Sequence, residues 1–143
     1  MNAVSKILLV AATSVTLAVA GQGAAGAATP GLTVTPATGL TTGDTVSVAV
    51  TGFAAGEPVA ISECAEVTSD DAVACNGPEG VATTADANGT VTVSLVVRNA
   101  FQGYTQDGRL YGPVDCATAF KGCVVGAVNG DGTTTAGAPI TFK

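Results

Sequence analysis

The sequence predicts an all-β protein, a seven-stranded antiparallel β-sandwich of the immunoglobulin type. Apolar residues alternate with polar or small ones along most of the chain, and turn-forming glycines separate the alternating runs. No ten-residue stretch has the apolar spacing and caps of a helix. Short strands at this density in one domain are typical of such sandwiches. The runs place strands near residues 33, 48, 61, 83, 94, 125 and 141.

The clearest run covers residues 90–98. Valine or leucine occupies every odd position from 91 to 97, and threonine, serine or arginine occupies positions 90, 92, 94 and 98. Successive side chains of a strand point to opposite faces, so the odd positions share one face. We therefore expect Val93 and Leu95 in the core, and Thr92 on the opposite, solvent-facing side.

Turn chemistry separates the strands. Asn88-Gly89 between alternating runs predicts a hairpin, because both central residues of the favoured two-residue turn need positive φ. Segment 86–89 also resembles the start of a calcium-binding loop, and so does segment 129–132. For the first segment, the EF-hand pattern requires a glutamate where Val97 stands. We interpret both segments as turns and predict no metal site, with a calcium site at 129–132 as the alternative.

Residues 65–80 and 101–113 do not fit regular strands, because they contain several glycines and prolines. We interpret both segments as long loops, which is where function is commonly found. Asp70 and Asp71 are adjacent in the first segment. We interpret them as solvated carboxylates rather than as a catalytic pair.

Residues 1–27 have the layout of a secretory signal peptide. One basic residue, Lys6, precedes an apolar run at 7–20, and the small residues 25–27 fit a cleavage site. A membrane-spanning helix needs about 20 apolar residues, so the run is short for that role. We expect a secreted, extracellular protein with one domain over residues 28–143, and no membrane association once the leader is removed.

The predicted mature chain is acidic. After loss of Lys6, four basic side chains face eleven acidic ones, a net charge of −7 that repels phosphate and disfavours direct nucleic-acid binding. The chain has no histidine, so a hydrolase triad of the common form is excluded and a zinc site is disfavoured. We predict a monomer that is not an enzyme and has no catalytic residues.

All four cysteines lie in the predicted mature chain, and disulfides are the expected state in an exported protein. Four cysteines permit three connectivities, and the sequence spacing favours the local pairs Cys64–Cys75 and Cys116–Cys123. Each local bridge would stabilise the fold by about 2–3 kcal/mol by limiting the unfolded chain.

Short motifs over nearly the whole mature chain resemble one known family. They are Thr-Val-Thr-Pro-Ala-Thr-Gly-Leu at 33–40, Cys-Ala and Ala-Cys-Asn around the first cysteine pair, Thr-Ala-Asp-Ala-Asn-Gly at 84–89, Val-Val-Arg at 96–98, Val-Asp-Cys at 114–116 and Ala-Pro-Ile-Thr-Phe at 138–142. With the cysteines in register, these motifs resemble the apoproteins of the neocarzinostatin–macromomycin–actinoxanthin family, secreted by actinomycetes. The resemblance implies an immunoglobulin-like sandwich with both local disulfides and a ligand cleft beside it.

The resemblance also implies a function. Family members hold an apolar, polycyclic enediyne chromophore non-covalently, and the released chromophore cleaves DNA. This chain would then be an antibiotic apoprotein, a carrier without a covalent cofactor, linked to DNA only through its chromophore. The rival interpretation is a structural or adhesive immunoglobulin-like module that has lost its ligand.

Nine positions are implied to line the cleft, namely Glu63, Cys64, Glu66, Val73, Cys75, Gly80, Gln106, Gly126 and Val128. The family commonly has an apolar or aromatic residue where Glu66 stands, and one member has phenylalanines where Gly80 and Gln106 stand. The loss of these two aromatic positions favours the rival interpretation.

Glu66 allows three interpretations, because an unpaired buried carboxylate is costly. The cleft is open and wet, or Glu66 meets a cation such as an amino group of the ligand, or the side chain points to solvent on a shallow groove. Glu63 is implied to be a polar position on the side of the cleft.

Overall fold

The computed structural model describes residues 29–68 and 72–143. Within these ranges the chain forms a short 3₁₀-helix at Gly77–Glu79 and ten strands: β1 (Gly31–Thr35), β2 (Thr45–Thr51), β3 (Pro58–Glu66), β4 (Val73–Cys75), β5 (Val81–Thr84), β6 (Val91–Val96), β7 (Ala100–Tyr104), β8 (Leu110–Asp115), β9 (Cys123–Asn129) and β10 (Thr135–Ile140). The predicted leader, Asp70 and Asp71 lie outside the described residues.

The strands form two antiparallel sheets. The smaller sheet has the order β1-β2-β6, and the larger has the order β10-β9-β3-β4-β7-β8 with β5 added beside β3. The strand β3 is the centre of the larger sheet. Residues 59–65 of β3 pair with β9 on one edge, while β5 and then β4 share the other edge.

The two sheets enclose one apolar core, which follows the alternation of the sequence. Val46, Val48 and Val50 of β2 are at most 1 % exposed, and the residues between them face solvent. In β6, Leu95 is 1 % exposed and Thr92 is exposed, as the alternation predicts. Val93 packs against the core but is only partly buried.

The predicted fold class is confirmed, because all seven predicted strands lie in a two-sheet antiparallel sandwich. The strand predicted near residue 141 begins and ends earlier, as β10. Three further strands lie within the segments interpreted as loops: β4 in the first, and β7 with β8 in the second. The interpretation of residues 101–113 as a loop is therefore wrong, because most of that segment is a paired hairpin.

Gly103 explains why the sequence does not predict this hairpin. A β-carbon added at Gly103 would lie 2.7 Å from Cγ2 of Val114 and 2.8 Å from Cβ of Ala74. The glycine is therefore present because the strand packs closely against its neighbours, and it does not mark a turn.

Asn88-Gly89 forms a turn, but the predicted hairpin is wrong. Gly89 has φ +73°, and its N–H donates to the carbonyl of Asp86 at 3.0 Å. The flanking strands β5 and β6 belong to different sheets, so the turn carries the chain from one sheet to the other. Asp86 fixes this corner by accepting hydrogen bonds from Thr90 and Asn88, which lower the pKa of its carboxyl.

Both local disulfides are present. Cys64 and Cys75 lie directly opposite each other on β3 and β4, and Cys116–Cys123 closes the loop that leads into β9. In the described part of the chain, none of the helical residues forms a segment of the length and apolarity that crossing a bilayer requires.

Candidate ligand-binding groove

A groove of about 800 Å³ runs over the outer face of the larger sheet. Its floor lies on β3, β9 and β10, where Ser62, Gly126 and Gly137 stand side by side across the three strands. Small side chains leave this part of the sheet surface low. Ala60 with Val128 and Cys64 with Val124 form the next pairs on either side of it.

The two long walls come from connecting segments. Tyr104, Thr105 and Gln106, at the end of β7, form one wall, and residues 129–132 between β9 and β10 form the other. Asn129 holds this second wall in place. Its Nδ2 donates to Oε2 of Glu57 at 3.1 Å, and its Oδ1 accepts from the N–H of Thr134 at 2.9 Å.

Asp131 supplies the only formal charge among the described residues that line the groove. Its Oδ1 accepts hydrogen bonds from the hydroxyl and the N–H of Thr133 at 2.6 and 3.0 Å, and these bonds lower the pKa of the carboxyl. The groove is therefore mainly apolar, with one ionised carboxylate on its rim.

Six of the nine sequence-predicted positions come together in this groove: Cys64, Val73, Cys75, Gln106, Gly126 and Val128. The Cys64–Cys75 disulfide lies between the floor and the wall that contains Tyr104, because Cys75 pairs with both Cys64 and Tyr104. These positions remain candidates for ligand contact. The other three, Glu63, Glu66 and Gly80, do not line the groove.

Glu63 lies on the opposite face of β3, contrary to the expected cleft-side placement. It is 1 % exposed, and its Oε2 accepts a hydrogen bond of 2.8 Å from the backbone N–H of Arg98. Oε1 lies 3.7 Å from Sγ of Cys116. Burial away from water favours the neutral acid and raises the pKa of Glu63 to about 7.

Glu66 meets a cation, but that cation belongs to the same chain. Nζ of Lys121, in the loop closed by the second disulfide, lies 2.8 Å from Oε2 of Glu66. The backbone also joins the two segments, because the N–H of Phe120 donates to the carbonyl of Glu66 at 3.3 Å. The carboxylate is therefore compensated without a ligand.

Gly80 is exposed and follows the 3₁₀-helix. A β-carbon there would lie 3.3 Å from Cβ of Ser62 and 3.2 Å from the carbonyl of Gly77. An aromatic side chain of the kind the resemblance implies would need its neighbours to move.

Sequence reasoning missed Gly137 and Tyr104. Gly137 could have been found from the sequence, because a hairpin closed by the predicted turn at 129–132 places Gly137 opposite Gly126. Tyr104 had no such local signal. Its position depends on the single pairing of Cys75 with Tyr104 between distant segments.

Three potential metal-ligating side chains, Glu63, Cys116 and Cys123, have donor atoms within 4.8 Å of one another. Both sulfurs are joined in the second disulfide, so neither is available as a thiolate ligand. In this oxidised state the cluster does not offer the ligands of a metal centre.

Comparison with known protein families shows which family this chain belongs to. The model of the neocarzinostatin family matches residues 32–142, which include every strand from β2 to β10 and most of β1. This chain belongs to the neocarzinostatin family. The resemblance seen in its motifs is thereby confirmed.

Similar members of the neocarzinostatin family include two curated proteins and a solved structure. The antitumor antibiotic C-1027 apoprotein of Streptomyces globisporus is 46 % identical over 125 residues, 87 % of this chain and 84 % of that protein. Actinoxanthin from the same organism is 45 % identical over 125 residues, which are 87 % of this chain and 84 % of actinoxanthin. The structure of macromomycin superposes with a TM-score of 0.74 at 37 % identity, covering 80 % of this chain and 99 % of that one.

Proposed function

We propose that this protein is an antibiotic apoprotein that binds and shields a small apolar chromophore of the enediyne type in the groove. The observation that carries the proposal is the low floor formed by Ser62, Gly126 and Gly137, which leaves room for a bulky ligand on an otherwise continuous sheet. A volume of about 800 Å³ lies within the range of small-molecule sites, about 300–1,000 Å³. Membership of the neocarzinostatin family supports the same ligand class.

The chemistry of the groove suits a carrier better than a catalyst. Its lining has one carboxylate, Asp131, which is already bonded to Thr133, and it has no histidine to act as a base. Binding would therefore depend on apolar burial and on contact with Tyr104. The net charge of −7 on the predicted mature chain disfavours direct contact with DNA, so DNA would be the target of the released chromophore alone.

Export is part of the proposal. The predicted leader at 1–27 would direct secretion, and both disulfides fit an oxidising compartment. We propose that residues 28–143 act outside the cell as a monomer, with no attachment to the membrane.

The test is to isolate the secreted protein from its native host, and to record its absorbance beyond the protein band and its native mass. A bound chromophore adds both absorbance and mass. The purified apoprotein is then titrated with the extracted chromophore, beside Gly126→Val and Thr92→Val. Gly126→Val places a larger side chain on the groove floor and should abolish binding. Thr92→Val lies on the exposed face of the smaller sheet and should bind as the wild type does.

If the secreted protein has neither the absorbance nor the mass of a ligand, the carrier function is wrong. The structural or adhesive module then becomes the better interpretation. Equal binding by wild type and Gly126→Val would instead place the ligand outside this groove.

A further inference from the structure

The buried carboxyl of Glu63 lies beside the second disulfide. Its Oε1 is 3.7 Å from Sγ of Cys116, and a carboxyl oxygen of Glu63 and both sulfurs of the Cys116–Cys123 bridge lie within 4.8 Å of one another. The other oxygen, Oε2, accepts the hydrogen bond from the backbone N–H of Arg98. Oε1 is therefore the oxygen that faces the bridge, in a site nearly closed to solvent, since Glu63 is 1 % exposed.

The contact with sulfur places the proton of Glu63. A sulfur in a disulfide carries no hydrogen, so it can only accept a hydrogen bond. Because Oε2 is already an acceptor, the proton belongs on Oε1, from which the neutral acid donates to Sγ of Cys116. Burial favours this neutral form and raises the pKa of Glu63 to about 7. The charge of Glu79 raises this pKa further, and the charge of Arg98 lowers it.

The two sulfurs of the bridge differ in access. Cys116 is partly exposed and precedes a surface loop, residues 117–122, most of which is exposed. Cys123 is 1 % exposed and begins β9. Since thiol–disulfide exchange depends on which sulfur an incoming thiolate can reach, the attack falls on Cys116 and Cys123 is the leaving group. A thiolate at Cys123 would be a buried charge, which is costly unless a proton neutralises it.

We propose that Cys116 is a site of thiol–disulfide exchange with external thiols, and that Glu63 is the acid that protonates the leaving sulfur of Cys123. The incoming thiolate forms a bond to Sγ of Cys116 as the Cys116–Cys123 bond breaks. The electron pair of that bond stays on Cys123, which takes the proton from Glu63. The products are a mixed disulfide on Cys116, a neutral thiol at Cys123 and the carboxylate of Glu63, which regains a proton from water.

A second thiolate completes the reduction. It attacks the outer sulfur of the mixed disulfide, so that the two external thiols end as a disulfide and Cys116 leaves as a thiolate that takes a proton from water. The protein gains two electrons and the external thiols lose two. The inference is independent of the groove, because Glu63 does not line it.

The reverse reaction closes the bridge. An external disulfide joins one of its sulfurs to Cys116 and releases the other as a thiol. The carboxylate of Glu63 then takes the proton from Cys123, whose thiolate attacks Sγ of Cys116 and expels the second thiol. Glu63 would thus speed formation of this bridge in an oxidising compartment.

The test measures reduction of both bridges by dithiothreitol in folded wild type and folded Glu63→Gln. Glutamine can still accept the hydrogen bond from Arg98, but it has no proton to give up in this range of pH. Samples are alkylated with iodoacetamide at intervals and mapped by mass spectrometry, which gives a separate rate for each bridge. Each rate is divided by the concentration of dithiothreitol thiolate, because the thiolate is the nucleophile.

The first bridge is a matched control within the same molecule. Cys64 is buried and Cys75 is partly buried, as Cys123 and Cys116 are. Sγ of Cys64 lies 3.4 Å from the hydroxyl of Ser62, which is not an acid in this range of pH. A general change in the fold would alter both bridges, whereas loss of the proton donor should alter only the second.

We expect the corrected rate for Cys116–Cys123 in wild type to fall about tenfold between pH 6 and pH 8, as Glu63 gives up its proton near pH 7. At pH 6, Glu63→Gln should slow reduction of this bridge about a hundredfold, the lower end of the usual contribution of a positioned proton donor. The corrected rate in Glu63→Gln should not change with pH. The Cys64–Cys75 bridge should react equally fast in both proteins at pH 6.

Reduction through opening of the fold would have the opposite sign. The contribution of Glu63 to stability is lost as the pH rises through about 7, so the wild-type fold would open more readily at pH 8 and the corrected rate would rise. A corrected wild-type rate that stays level or rises with pH overturns the role of Glu63. Equal rates for wild type and Glu63→Gln at pH 6, or equal slowing of both bridges, overturn it as well.

The attacked sulfur is identified in the wild-type protein alone. The folded protein reacts with the monothiol 2-mercaptoethanol, acid stops the exchange, and mass spectrometry of peptic peptides locates the mixed disulfide. We expect the adduct on Cys116, because that sulfur is the accessible one. An adduct on Cys123, or none on Cys116 while the bridge is being reduced, would overturn the assignment of the leaving group and the proton transfer that depends on it.

Discussion

The backbone N–H of Arg98 donates a hydrogen bond of 2.8 Å to the buried carboxyl of Glu63, 35 positions earlier in the chain. Arg98 follows β6 of the smaller sheet, and Glu63 lies in β3 of the larger one. The contact therefore joins the two sheets. The guanidinium of Arg98 adds a second link, because its Nε and one terminal nitrogen donate to Glu79 at 2.8 and 2.6 Å.

Glu63→Gln should change how stability depends on pH. Burial raises the pKa of Glu63 from 4.5 to about 7, so the folded protein favours the neutral acid. That contribution is fully present below pH 4.5 and is lost as the pH rises through about 7. A shift of this size corresponds to about 3 kcal/mol. Glu63→Gln should thus be the more stable protein at pH 8, by up to this amount, and have a flatter profile between pH 5 and about 7.

The measurement is urea unfolding of both proteins across this pH range. Among the described residues, the charge of Glu79 raises the pKa of Glu63 and the charge of Arg98 lowers it. Asp86→Asn provides a control, because the hydrogen bonds from Thr90 lower the pKa of Asp86 from 3.8. The contribution of Asp86 is therefore fully present above pH 3.8 and is lost only as the pH falls further, so the loss in Asp86→Asn should be constant across this range. Parallel profiles for wild type and Glu63→Gln would show that Glu63 is not buried as described.

Gly89→Ala should destabilise the corner between the sheets far more than Gly43→Ala. Both glycines have positive φ, +73° and +90°, so both substitutions carry the cost of that conformation, about 1–2 kcal/mol. A β-carbon at Gly89 would also lie 2.0 Å from the carbonyl oxygen of Phe53, while one at Gly43 meets no atom within 4 Å. The forced shift should bring the total for Gly89→Ala to about 3–5 kcal/mol. Thermal unfolding of the pair measures the difference, and equal losses would refute the close contact.

Leu95→Ala should lower the free energy of unfolding by about 2–5 kcal/mol, because it leaves a cavity between the sheets. Leu95 is 1 % exposed, whereas Thr92 on the same strand faces solvent. Thr92→Ala should therefore cost well under about 1 kcal/mol. Denaturant unfolding of the two variants checks the assigned faces of β6. Similar losses from both variants would contradict this assignment.

Glu66→Gln should have little effect on either stability or binding. The Glu66–Lys121 pair is partly exposed, and such pairs are worth at most about 1 kcal/mol. A double-mutant cycle with Lys121→Met should give a coupling energy within that limit. Affinity for the extracted chromophore should stay within experimental error of wild type, since Glu66 does not line the groove. A clear loss of affinity for a cationic probe would restore the ligand role that the sequence suggested.

Strands that alternate strictly could be predicted from the sequence, and strands that depend on close packing could not. The run at 90–98 gives β6 and its buried face, because one side of that strand meets the core and the other meets water. The hairpin of β7 and β8 shows no such alternation. Leu110 and Tyr111 are both exposed on the edge strand, and the buried position at 103 holds a glycine.

The groove could be located only in part. The resemblance gave positions such as Gly126 and Val128, which lie on the groove side of β9. It also suggested a cleft role for Glu63, although the alternation of β3 places Glu63 on the same face as the buried Ile61 and Ala65. Period-two reasoning alone would have put this carboxyl in the core. An acid at a core position is unexpected from composition, because its burial carries a free-energy cost.

The central position of β3 has an evolutionary consequence. Ala60 and Ser62 face the groove, while Val59 and Ile61 face the core. Mutations in neighbouring codons are therefore exposed to different selection, one set through what the groove admits and the other through whether the chain folds. A lineage that adapts to a new small molecule is free to vary alternate codons of this strand while the intervening codons stay under purifying selection.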